Sequence, residues 1–165
     1  GDSVLMADPG YPCNRHFFRL VEGQATLVPV DAASNFQLTA ELASRAWQNN
    51  TTAAIVASPA NPTGGTLSFE ALTQLSKFMT ANNAELIVDE IYHGLEYEAP
   101  SRSVLEINSD TFVINSFSKY FGMTGWRLGW LVAPEKAVAP LEKLAQNLFI
   151  SIHYYEFRYW FLSII

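Results

Sequence analysis

Residues 112–130 read F-V-I-N-S-F-S-K-Y-F-G-M-T-G-W-R-L-G-W. An apolar, β-branched run leads into a polar turn that holds Ser116, Ser118 and Lys119, and Arg127 follows between Trp126 and Leu128. A lysine and an arginine in such apolar company are expected to be partly buried, and a buried cation needs a compensating partner. Two hydroxyls and a guanidinium suit a phosphate, and a desolvated lysine suits imine formation with an aldehyde. A phosphorylated aldehyde meets both demands, and pyridoxal phosphate is one.

Two further segments carry chemistry-bearing side chains. S-P-A-N-P-T-G-G occupies residues 58–65 and V-D-E-I-Y-H-G residues 88–94. With the lysine segment, and in this order, they resemble the class I and II aminotransferases, the fold-type-I pyridoxal phosphate enzymes. The resemblance covers residues 1 to about 151. It implies a pyridoxal 5'-phosphate cofactor and transfer of an amino group between an amino acid and a 2-oxo acid.

The resemblance gives Lys119 the role of Schiff-base lysine. Such an amine is almost wholly protonated at neutral pH when unperturbed, and burial with Arg127 nearby is expected to free it. Asp89 ends the apolar run 86–88, where a carboxylate wants a cation, and by resemblance it keeps the pyridine nitrogen protonated. Tyr92 and Asn61 match the residues that meet the cofactor's 3′ oxygen. Pro62 and the glycines hold Asn61 in a tight loop. Ser116, Ser118 and Arg127 match the phosphate ligands, the arginine by its two-pronged geometry. Tyr11, in P-G-Y-P, matches the ring that stacks on the pyridine. Plainer readings stand beside these: a surface lysine, an aspartate capping a turn, a core tyrosine, ordinary turns at Asn61 and Ser116, an arginine paired with a carboxylate, and a strand-to-helix corner at Tyr11. Glu90, His93 and Cys13 have no assigned role, and His16 and His153 read as structural or surface residues.

The bulk properties narrow the class. A chain of 165 residues, 49% hydrophobic and 16% charged, suits one globular core. A net charge of -6 gives no basic face for nucleic acid. The one cysteine, Cys13, excludes an internal disulfide and fits a reducing, cytoplasmic compartment. Gly1 is no natural initiator, so a piece of a longer protein is expected.

The elements must bring these segments together. Residues 3–7, 25–30, 53–57, 85–88, 112–115 and 127–132 read as strands. Helices are expected from Tyr11 to near Gly23, over 38–47, over 69–81 behind a Ser68 cap, and from Pro134 through Leu148. Leu72, Leu75, Phe78 and Met79 form one stripe of the third. This alternation predicts an α/β fold, a mostly parallel sheet covered by helices on both faces, with the polar motifs at the carboxyl ends of the third, fourth and fifth strands. The resemblance adds an antiparallel sixth strand and a further strand upstream of Gly1.

Residues 1–151 thus read as a cofactor-binding large domain, incomplete at both ends. The family's glycine-rich phosphate loop, the tyrosine contributed by a partner subunit and the arginine that clamps the substrate carboxylate are expected outside this chain. Residues 152–165 form an atypical apolar tail, read as a truncated or frame-shifted end; Glu156 and Arg158 argue against a membrane span. The resemblance implies a homodimer when intact. Two other activities fit the motifs: a carbon–sulfur β-lyase with the same cofactor, and a non-catalytic effector-binding domain of a transcription regulator.

Overall fold

The computed structural model describes residues 1–97 and 100–149. The atypical tail, with His153, lies outside the described residues. In chain order the elements are β1 (Ser3–Asp8), α1 (Cys13–Leu20), β2 (Gln24–Pro29), α2 (Ala40–Ala46), β3 (Thr51–Ala57), α3 (Phe69–Ala81), β4 (Glu85–Asp89), β5 (Phe112–Ser116), β6 (Gly129–Val132) and α4 (Glu135–Phe149). The strands form one sheet in the order β2-β1-β3-β4-β5-β6. Every pairing is parallel except β5 with β6, which is antiparallel. This is the mostly parallel α/β sheet that the alternation of elements predicts.

Period-two alternation sends side chains to both faces. On one face Leu5, Ala54, Val56, Leu86, Val88 and Val113 are buried with Leu72, Leu75 and Met79 of α3 and Ala43 of α2. On the other, Val4, Met6, Ala53 and Ile55 form a smaller cluster to which Phe18 of α1 adds its ring. The middles of β1, β3 and β4 are apolar on both sides because both faces of the sheet are covered there.

The expected span of α3 matches the structure. Ser68 caps it, its Oγ accepting from the Ala71 N–H at 3.1 Å, and Glu70 sits in the first turn, where the helix dipole favours a negative charge. The second helix is shorter than its periodicity suggests. Leu38 lies before the cap, Thr39, whose Oγ1 accepts from the Leu42 N–H. Leu38 and Ala43 are both fully buried in one cluster, the positions of a hydrophobic staple that imitates helical spacing beyond the helix.

Candidate active site

Register sets the frame. Ala57 pairs with Asp89, and Asp89 with Ile114, so β3, β4 and β5 end nearly level. The three loops that carry the polar motifs therefore leave the sheet side by side. The backbone continues the ladder past these ends: the Ser58 N–H donates to the Asp89 carbonyl at 3.2 Å and the Glu90 N–H to the Ile114 carbonyl at 2.9 Å.

From β3, the loop carrying Asn61 closes on itself, with the Gly64 N–H donating to the Ala60 carbonyl and the Ala60 N–H to that of Gly65. Buried Gln37 holds it from below: Nε2 donates to the Ala57 carbonyl at 3.0 Å and the Gly65 carbonyl at 2.5 Å. The signal for Gln37 was a single polar residue between Phe36 and Leu38, and sequence reasoning passed over it.

From β4, Asp89 is half-buried and Oδ1 accepts from the Ile91 N–H at 3.0 Å. Burial pushes its carboxyl above the ordinary carboxylate value. The Ile91 hydrogen bond opposes this, the Glu90 charge adds to it, and the charges of His93 and Lys119 work against it. Burial outweighs the opposing interactions, so a cation held close to the carboxyl would offset the cost of its ionised form. Tyr92 presents its hydroxyl to Asn61, with Nδ2 at 3.5 Å, the outer limit of a hydrogen bond. Glu90 is 4% exposed and locks the loop: Oε1 accepts from the Val104 N–H at 2.8 Å, and Oε2 lies 3.6 Å from His93 Nδ1. Sequence reasoning assigned Glu90 no role, and the available clue was a second acid directly after Asp89 and before the apolar pair Ile91 and Tyr92.

From β5, Ser116 and Ser118 are buried and paired. Ser116 Oγ accepts from the Ser118 N–H at 3.0 Å and lies 2.9 Å from Ser118 Oγ and 3.0 Å from the Leu128 carbonyl. A serine has one hydroxyl proton, so Ser116 is already engaged in closing the turn and Ser118 has the freer hydroxyl.

Lys119 and Arg127 depart from expectation, because both are exposed. Their apolar sequence neighbours do not cover them. Phe117 and Phe121 turn away to stack with Trp130, and Trp126 is itself 62% exposed. Arg127 is also not a strand residue. It sits at φ 50° after the 3-10 turn Thr124–Trp126, and β6 begins at Gly129. This left-handed conformation, uncommon for arginine, lets Nη1 donate to the Thr124 carbonyl at 3.0 Å.

The loops meet at Lys119. Its Nζ lies 5.8 Å from the centre of the Tyr92 ring, within cation–π range. The neighbouring Tyr120 packs on Gly94 so closely that a Cβ there would lie 2.6 Å from the ring. Tyr11 is 44% exposed, and its pKa is raised above the ordinary tyrosine value first by its hydrogen bond with Cys13, then by the Cys13 charge and burial. Asn61, Tyr92 and Lys119 are thus linked in series, with Asp89 at the end of the strand that leads to Tyr92, and Arg127 connects to Ser118 through Thr124, whose Oγ1 donates to the Ser118 carbonyl at 2.7 Å. An open cavity of ≈ 820 Å³ lies beside Asn61 and Tyr92, walled by Phe69, Glu90, His93 and Arg102 and not by Lys119. No group of residues able to hold a metal occurs among the described residues.

The family model for aminotransferase class I and II matches residues 1–157. The chain belongs to the class I and II aminotransferase family. Among its aminotransferase relatives is the valine–pyruvate aminotransferase of Mycobacterium tuberculosis, 40% identical over 152 residues, which span 91% of this chain and 39% of that protein. A crystal structure of an aminotransferase from M. tuberculosis superposes with a TM-score of 0.85 at 39% identity, covering 91% of this chain and 41% of that one. A Thermus thermophilus aspartate aminotransferase variant gives 0.88 at 29% identity, covering 92% and 42%. The chain therefore spans about two fifths of the aminotransferases it resembles. The β-lyase and regulator readings find no support in these relatives.

Proposed function

We propose that this chain is the cofactor-binding part of a pyridoxal phosphate-dependent aminotransferase that moves an amino group between an amino acid and a 2-oxo acid. The observation that carries this reading is the meeting of Lys119, Tyr92, Asn61 and Asp89 at the ends of adjacent strands. The fit to the cofactor rests on donor chemistry. Asp89, whose carboxyl is raised by burial, suits a protonated ring nitrogen close by. Asn61 Nδ2 and Tyr92 Oη suit a ring oxygen, and Arg127 and Ser118 suit a phosphate. When bound, the cofactor supplies an aldehyde to carry the amino group and a ring that draws electrons from the substrate Cα.

In this reading the chain's own residues hold and move protons. Asp89 keeps the ring nitrogen protonated, Tyr92 and Asn61 fix the 3′ oxygen, and Tyr11 stacks on the ring. Ser116, Ser118 and Arg127 anchor the phosphate, with Ser116 also closing its turn. The Lys119 amine carries a proton to and from the substrate Cα; its exposed position gives it the access this requires. The intact protein is a homodimer in this proposal.

The M. tuberculosis relative's name makes valine and pyruvate the first substrate pair to test. Full-length protein loaded with pyridoxal phosphate is expected to form alanine from this pair, or from another pair the amino acid that corresponds to the 2-oxo acid supplied, and Lys119→Arg to lower the rate at least about a thousandfold. Release of pyruvate and ammonia from a cysteine-type substrate, with no transfer to any 2-oxo acid, would contradict the reading.

A further inference from the structure

We infer that Thr124 is a positioning residue that sets the distance between the lysine and the arginine, so that one ligand can engage both. The inference rests on the function proposed above. Thr124 touches both limbs of the loop after β5. Its hydroxyl donates to the Ser118 carbonyl at 2.7 Å, the peptide that leads directly into Lys119. Its own carbonyl accepts from Arg127 Nη1 at 3.0 Å. Backbone bonds close the excursion around it: Met123 N–H to the Phe117 carbonyl at 3.0 Å, Gly122 N–H to the Lys119 carbonyl at 2.9 Å, and Phe117 N–H to the Leu128 carbonyl at 3.0 Å.

These bonds, with Ser116 Oγ on the Leu128 carbonyl at 3.0 Å, hold the two ends of the loop, and the Thr124 hydroxyl adds a side-chain tie within it, from the arginine limb to the peptide that leads into Lys119. Lys119 and Arg127 are both exposed, so packing does little to fix their separation. A ligand with an aldehyde at one end and a phosphate at the other binds as two linked groups. Its affinity exceeds that of either group alone only while both anchors are held in register. Losing the tie should therefore cost the two-ended ligand more than a one-ended one.

The test measures binding of pyridoxal phosphate and of pyridoxal, which lacks the phosphate, by absorbance titration. The proteins are the unaltered chain, Thr124→Val and Thr124→Ser. Valine keeps the shape and removes the hydroxyl; serine keeps the hydroxyl. Thr124→Val is expected to weaken pyridoxal phosphate about tenfold, equivalent to about 1.4 kcal/mol, and pyridoxal less than about twofold. Thr124→Ser is expected to restore most of the loss. Equal losses for both ligands, no loss for either, or no recovery with serine would overturn the inference and leave the proposed function standing. Failure of the unaltered chain to bind pyridoxal phosphate would remove both together.

Discussion

At Asp89 a single carboxylate faces opposing demands. Burial raises its pKa above the ordinary value, so its stabilising contribution is complete below the ordinary carboxylate range and lost as pH rises through the raised folded value. In the cofactor-free chain at neutral pH the ionised group is thus a net cost, and a protonated ring nitrogen would offset it. Asp89→Asn, which can still accept from the Ile91 N–H, is expected to stabilise the empty chain at pH 7. The gain should shrink as pH falls toward 4, as urea denaturation across that range would show. A variant less stable than the parent at pH 7 would contradict this account. The same substitution is expected to weaken pyridoxal phosphate binding, the exchange of stability for function typical of active sites. Asp89 was legible because its apolar strand announced a buried terminus. The exposure of Lys119 and Arg127 was not legible, because adjacent apolar residues in a turn point elsewhere, here into the Phe117, Phe121 and Trp130 stack.

At the level of elements, the loop after β3 depends on close backbone approach. A Cβ on Gly65 would lie 2.1 Å from the Asn35 carbonyl oxygen, a backbone atom that cannot swing away. Gly65→Ala is expected to cost about 2 kcal/mol in urea denaturation and to displace Asn61 from Tyr92; an unchanged midpoint would show that the loop tolerates the shift. Ser68→Ala, which removes the cap of α3, is expected to cost about 1 kcal/mol by the same measurement. Both ends of α3 could be read from its sequence because the cap, the first-turn glutamate and the stripe agree. β6 was read two residues too long because Leu128 and its apolar successors mask the left-handed turn at Arg127. The braces at Gln37, Glu90 and Thr124 escaped notice because each acts on backbone that is distant or offset in sequence, and one chain of letters does not display such contacts.

For the whole molecule, adjacency of β3, β4 and β5 decides what can be built. Neighbouring strands lie about 4.8 Å apart, so three of them present loops across about 10 Å, room for one substituted pyridine ring. The core beneath fixes that spacing: Leu75 is fully buried between α3 and the sheet, and Leu75→Ala is expected to cost about 3 kcal/mol in the same denaturation experiment. No helix among the described residues is long and apolar enough to cross a membrane. The central claim is that Lys119 shares one ligand with the loops from β3 and β4. The most direct measurement is to mix the chain with pyridoxal phosphate, reduce with borohydride and map the modified residue by peptide mass. The account predicts a pyridoxyl group on Lys119, with labelling reduced by Asp89→Asn. Labelling spread over other lysines, or none at Lys119, would contradict it.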